Sequence, residues 1–285
     1  MKIIFSRKGF DSAAGGFPSL IFPDNTLFSI AIPSNPSHCD YGRLAFRYGE
    51  EPIQDILNQT TNRRIHSNGK RHACDYSAAD QGCHHDPMYL KESNQLVLGQ
   101  TEQSESHLRN QGVSASDVFL FYGWFRRVAP TGGCWNYVHD APDVHLIWSW
   151  MTVGSALRLD TQEDINAALA AFPGLNVHAH LATDWDQLPN SVYISEEHGL
   201  LRFSRSGCLT DLRHHEGRSK WRLPACFNQP RAFSYLKSFS LSGADVIVRY
   251  RGRGQEFVLD LDKVTSVGDR ERILEFIEDI RNPQG

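Results

Sequence analysis

Two stretches of this chain leave little choice of secondary structure. "DVFLFYGWF", residues 117–125, and "VHLIWSWMTVG", residues 144–154, are apolar and aromatic almost without a break. Both are too short to cross a bilayer as helices. Their aromatic and β-branched content reads as strands buried in a sheet. Buried strands need a sizeable core, and the 285 residues, 40% of them hydrophobic, supply one. With 22% charged residues, the composition also argues against wholesale disorder.

The remaining elements fit around those strands. Residues 1–33 read as β structure, with "SLIFPDNTLFSI" a hairpin turning at Pro23–Thr26. Residues 34–82 look irregular, a long polar loop region. "TEQSESHLRNQG" reads as a short helix stopped by Gly112. "LDTQEDINAALAAFPG" is a clearer one, with Asp160 as its cap and Glu163 completing a capping box. "NSVYIS" is a strand with "GLLRFS" as hairpin mate, and "ADVIVRYRGRGQEFVLD" is a hairpin around Arg251–Gly254. The tail places Ile273, Leu274, Ile277 and Ile280 on one helical face. No repeat or linker divides the chain. The expectation is one α+β domain over 1–285, strand-rich, with a mixed, mostly antiparallel sheet and a few flanking helices.

A net charge of −4 gives no case for wrapping duplex DNA. No transmembrane run or signal peptide is visible, so the cytoplasm is the expected location. Cysteines 39, 74, 83, 134, 208 and 226 form no CxxC pair, which argues against a disulfide framework or zinc cassette. Thirteen histidines are worth following, because imidazole serves both metal and acid–base sites.

Five groups are candidates to carry chemistry, each set against a plain structural role. In the opening loop, Lys8 to Gly16, Lys8 suits a phosphate, Gly9 lets backbone approach a ligand, and Asp11 suits a ribose hydroxyl, a metal or a base edge. An ordinary charged turn is the alternative. In "GCHHDP", His84 and Asp86 point to one side of an extended segment, as a metal-ligating pair or an Asp-oriented general base. His107 lies on a polar helix face, with Arg109 aimed elsewhere at a phosphate or carboxylate. His178 and His180 alternate onto one face of an extended segment, and Asp184 and Asp186 repeat the pattern. Arg213, Arg218, Lys220, Trp221 and Arg222 form a short basic stretch in which Trp221 offers a stacking surface for a base; Arg251 and Arg253 extend it. A solvated basic loop is the alternative there. Trp124, Trp148 and Trp150 read as core.

In their order along the chain, "SRKGFDS", "CHHDP", "HLRNQGVSASDVFLFYGWFR", "NSVYIS", "WRLP" and "GQEFVLD" resemble the nucleotide modification associated domain 3 family. The resemblance runs over about residues 1–260. It implies a bacterial or phage protein tied to making or handling modified nucleotides in DNA. Family members usually read CHLDPD where this chain reads "CHHDPM", so Cys83, His84, Asp86 and Pro87 match and His85 and Met88 do not. Lys8, Gly9, Asp11, His107 and Gly112 also fall on matched segments. The resemblance implies a nucleotide ligand and leaves open whether a bond is made or broken.

The first functional expectation is an enzyme acting on a nucleotide, or on a base in single-stranded or flipped-out DNA, as a transferase or hydrolase. Asp11, His84, Asp86 and His107 would do acid–base work; Lys8, Gly9, Arg109 and Trp221 would hold the nucleotide. A non-catalytic reader of modified bases is the alternative. A metal-dependent phosphoesterase using a divalent ion with His84, Asp86, His178 and His180 is the third. A nucleotide or a divalent metal is the cofactor these readings imply.

Overall fold

The computed structural model describes residues 1–34, 39–79, 81–182, 186–214, 216–236, 238–249 and 256–282. Asp184 and the expected turn Arg251–Gly254 lie outside them. Internal contacts divide the chain into two compact units. The first comprises Met1–Arg7, Pro87–Tyr122 and Val144–Gly285; the second comprises Lys8–Asp86 and Gly123–Asp143.

The first unit is built on a mixed sheet. Its strands lie in the order Met88–Leu90, Gln95–Thr101, Asn190–Leu200, Val144–Arg158, Val118–Thr131 (residues 118–122 of it), Lys2–Arg7 and Phe257–Asp260. Lys2–Arg7 runs parallel to its neighbour, from Ile3 opposite Val118 to Arg7 opposite Tyr122, and antiparallel to Phe257–Asp260. Strand alternation explains the unbroken apolar runs. Ile3, Phe5, Val118, Leu120 and Tyr122 pack into one core with Trp221 and Phe227. Ile4, Phe119 and Phe121 pack into another. Every residue of "VFLFY" is therefore buried, three on one face and two on the other. The strand-rich α+β expectation holds.

Four helices are described: α1, Ile53–Thr60; α2, Glu102–Asn110; α3, Gln162–Ala171; α4, Val267–Arg281. Leu108 of α2 enters the second core, and Ile273, Ile277 and Ile280 of α4 enter the first. Leu274, expected on that same face, is 38% exposed. Its position, one past Ile273, turns it about 100° away. Gly112 stops α2 in the left-handed region at φ +64°.

Three local expectations are corrected. Asp245–Arg249 pairs with Lys220–Pro224 and Ser238–Ser242 in a separate three-stranded sheet, while Phe257–Asp260 pairs with Lys2–Arg7, so the two are not a hairpin. Asn190–Leu200 is one long strand lying between Gln95–Thr101 and Val144–Arg158, and residues 201–204 form no strand with it. The cap of α3 is Thr161, boxed with Asp164, rather than Asp160 with Glu163. Asp160 is engaged elsewhere.

In the second unit the predicted hairpin is present: Ser19–Ile21 pairs antiparallel with Leu27–Phe28. Residues 34–82 are more ordered than their polarity suggests. Within them α1 buries Ile53, Ile56 and Leu57 against Phe10, Phe22, Tyr41 and Trp135. Its two buried amides tie down the surrounding chain. Gln54 donates to the carbonyls of Tyr41 and Leu44, both at 2.8 Å. Asn58 accepts from the Tyr76 N–H and donates to Asp75 and Ser77. Amides one helical turn apart thus hold loops that carry little apolar content of their own.

Candidate functional site

In the second unit the opening loop is a tight knot. Asp11 Oδ1 accepts the N–H groups of Ala13 and Ala14, both at 2.7 Å, and the Asp11 carbonyl accepts from Gly16 at 2.8 Å. This is Asx-turn chemistry. Gly9 has φ +85°, and a Cβ on it would lie 2.4 Å from Ser29 Oγ. The loop therefore needs glycine there for its own fold. Lys8 is half-buried and its carbonyl packs on Gly123, where a Cβ would come within 2.7 Å.

The strand Gly82–His84 lies between Ile32–Pro33 and Cys39–Asp40. It delivers His84 toward Asp86, as their two-residue spacing predicts: Nε2 is 3.6 Å from Asp86 Oδ2. The Asp86 side chain is 3% exposed and that of His84 19%. A buried carboxylate beside a partly exposed imidazole can orient it. His85, the departure from the family pattern, is exposed. In the same unit a hollow of about 690 Å³ is lined by polar groups including Ser34, Asp40, Asn68, His72 and Gln81, with Tyr41 and Ile65.

In the first unit Arg109 is the centre of a network. Its Nε donates to Glu105 at 2.7 Å, Nη1 and Nη2 grip Asp160 at 2.6 and 3.0 Å, and Nη2 also reaches the Asn190 carbonyl and Ser191 Oγ. Burial pushes the Glu105 carboxyl up, against the hydrogen bonds from Ser191, Arg109 and Tyr193 that favour its charge. The Arg109 guanidinium holds Asp160 below the usual carboxylate range. The guanidinium foreseen on a phosphate is thus engaged by protein groups.

Asp160 continues the network by accepting the Asn190 N–H at 3.0 Å. Asn190 in turn donates its amide to the His180 carbonyl, which turns its Oδ1 toward His180 Nδ1 at 2.8 Å. That orientation makes Nδ1 the protonated nitrogen of neutral His180 and leaves the lone pair on Nε2. His178 Nδ1 accepts the His180 N–H at 3.3 Å. Both rings are buried, with centroids 5.4 Å apart. They are brought together by 3₁₀ turns, Pro173–Val177 and Ala179–Leu181, rather than by the extended segment expected.

His107 is held on the same helix as Arg109. Its Nε2 lies 3.0 Å from Ser234 Oγ, its ring packs 4.4 Å from Tyr235, and burial lowers its pKa. Trp221 is fully buried against Phe5, Tyr122 and Phe257, and its Nε1 donates to His145 Nδ1 at 3.0 Å. Its faces are covered by protein. The basic stretch around it is matched by acids: Arg222 and Lys220 pair with buried Asp211, Lys220 also with Glu216, and Arg213 and Arg222 with Asp245. Burial alone would raise the Asp211 carboxyl, but hydrogen bonds from Arg222, His214, the Arg213 N–H and Lys220 outweigh it and hold it far below the usual range.

Sequence reasoning missed Asn190, Glu105 and Asp160 as organisers of His180. Glu105 lies one helical turn before Arg109, a spacing that could have announced that pair, whereas Asp160 and Asn190 lie far from Arg109 in sequence and no local spacing announces them.

No described helix is long and apolar enough to cross a membrane. No curated protein matches the chain, and no solved structure does. The family model described as nucleotide modification associated domain 3 matches residues 2–260. With nearly its whole length covered, the chain belongs to the nucleotide modification associated domain 3 family.

Proposed function

We propose that this chain is an enzyme acting on a nucleotide, or on a base presented from single-stranded or flipped-out DNA, by transfer or hydrolysis. Family membership supports the substrate class. The observation that carries the enzymatic reading is the His84–Asp86 pair at 3.6 Å, its carboxylate buried and its imidazole partly exposed. In this reading Asp86 orients His84, and His84 Nε2 exchanges the proton at the reacting centre. Lys8 supplies charge for a phosphate. Asp11 first holds its loop, so His84 is the stronger acid–base candidate. A cytoplasmic protein of bacterial or phage origin is the setting this implies.

The reader alternative is favoured by one feature, the 690 Å³ hollow, whose lining includes neither His84 nor Asp86. Against it, Trp221 is covered, and among the described residues Tyr41 is the one Phe, Tyr or Trp lining that hollow. A metal-dependent phosphoesterase requires a bound divalent ion.

Mass spectrometry of metals and small molecules released from the purified, denatured chain tests all three. A co-purifying nucleotide, turned over by the wild type and at least ~100-fold more slowly by His84→Ala and Asp86→Asn, is the expected result. Nucleotide retained and unchanged by wild type and variants alike would sink the enzymatic reading in favour of a reader. Stoichiometric metal without nucleotide would move the assignment to the phosphoesterase.

A further inference from the structure

Cys39 and Cys83 are direct partners across two antiparallel strands, Cys39–Asp40 and Gly82–His84. Facing residues in such a ladder have Cα atoms roughly 4.5–5.5 Å apart. That lies inside the roughly 4.4–6.8 Å window in which a disulfide closes without moving backbone. Both are thiols in this structure. We propose that Cys39 and Cys83 form a reversible thiol–disulfide site, with Cys39 attacking and Cys83 resolving.

The two sulfurs are unequal in the way such a pair requires. Cys39 is half-buried and reachable, and Cys83 is 1% exposed. A hydrogen bond from the Cys83 thiol, outweighing burial, lowers the Cys39 pKa to about 7. The more exposed thiol, with its pKa lowered, is the one suited to attack, because the thiolate is the nucleophile.

With a low-molecular-weight disulfide as oxidant, the Cys39 thiolate attacks one of its sulfurs and expels the other as a thiolate. Cys83 then gives its proton to water and attacks Cys39 Sγ, expelling the second small thiolate. Two protein thiols are oxidised and one small disulfide is reduced to two thiols. The product bond joins the two ends of the segment from Cys39 to Cys83. It sits one residue before His84, so closure restrains the strand that carries His84 without removing any group from it.

The test uses the whole purified chain in buffers of graded reduced-to-oxidised glutathione ratio, quenched with N-ethylmaleimide and mapped by peptide mass spectrometry. The expected result is a Cys39–Cys83 cross-linked peptide, lighter by about 2 Da than the two thiol peptides together and reversed by dithiothreitol. Cys83→Ala should instead trap glutathione on Cys39. If Cys39 and Cys83 both stay alkylated with oxidised glutathione in large excess, or if Cys39 cross-links to Cys74 instead, the proposal is overturned. The wild-type map decides this by itself, so a variant that folds poorly does not weaken the test. It is also independent of the nucleotide chemistry proposed above.

Discussion

Replacing Arg109 with Ala should be among the most damaging single changes in the first unit, and the structure says how much. Arg109 makes five polar contacts to four residues. The side chains of Arg109 and Asp160 are 22% and 31% exposed, so water screens that part of the interaction and it counts for little. Glu105 is different. Its side chain is 1% exposed, and without Arg109 its buried charge keeps only hydroxyl partners, Tyr193 among them. Stranding a buried charge costs about 3–5 kcal/mol. At the lower figure, the melting temperature should fall by roughly 6–12 °C for a unit of this size. Thermal and urea unfolding followed by circular dichroism read the loss. Two internal controls go with it. Adding Glu105→Gln to Arg109→Ala removes the stranded charge and should recover about 1 kcal/mol or more. The Arg109→Ala penalty should also shrink as pH falls toward the carboxyl range. With its cation gone, folded Glu105 has a pKa raised above its unfolded value, and such a group favours folding at low pH and loses that as pH rises. A loss below about 1 kcal/mol, or no recovery in the double variant, would refute the claim that Arg109 acts by holding Glu105.

Gly99 allows the closest approach to His180: a Cβ there would come within 2.4 Å of the ring, which Asn190 holds in place. Gly99→Ala should cost about 1–3 kcal/mol in urea unfolding and shift the His180 imidazole resonances; unshifted resonances would mean the ring is not packed as described. Burial lowers the pKa of His107, His145 and His198, and for His145 the nearby Arg218 and Arg7 add to it. Groups with depressed folded values stabilise above their unfolded pKa of about 6.5, and that contribution drains as pH falls from there. Melting temperature should therefore drop from pH 7.5 to 5.5, and a flat profile would contradict the burial of these rings. Asp11→Ala should cost about 1–2 kcal/mol through its two lost backbone bonds, whereas Asp11→Asn keeps an acceptor oxygen and most of the stability. Loss of nucleotide retention in folded Asp11→Asn, measured by mass spectrometry, would identify a ligand contact beyond the turn.

The parts of this fold that could be read from sequence were those with a period. "VFLFY" is unbroken because both faces of its strand are buried, and the α4 isoleucines recur every three or four residues. What could not be read was who pairs with whom. The runs 245–249 and 257–260 look like a hairpin because they are neighbours in sequence, yet they join different sheets. Helix α1 was hidden because only Ile53, Ile56 and Leu57 mark its face, while Gln54 and Asn58 spend their polarity inside the molecule. Asp160 reads as a cap because it precedes a helix by the right distance, but Thr161 has the same chemistry one residue on, which frees Asp160 for Arg109.

The same limit governs the candidate site. Spacing can bring two side chains within reach, as for His84 at the end of its strand and Asp86 two residues on, but it is silent about a partner eighty residues away. Arg109, His107 and Trp221 carry the residue types of a nucleotide site, and each is engaged by groups distant in sequence: Asp160 and Asn190, Ser234, and His145. A polar side chain that the fold already uses for its own hydrogen bonds must break them before it can serve a ligand, at about 0.5–1.5 kcal/mol each and more for charged groups. That cost ranks the candidates. Arg109 would have to leave two carboxylates, and Trp221 would have to leave the core. His84 keeps 19% of its side chain exposed beside the Asp86 carboxylate, so a ligand can reach it where Trp221 is covered. Mutagenesis should therefore begin with His84 and Asp86, and treat Arg109 and His107 as residues whose loss is read in stability before it is read in activity.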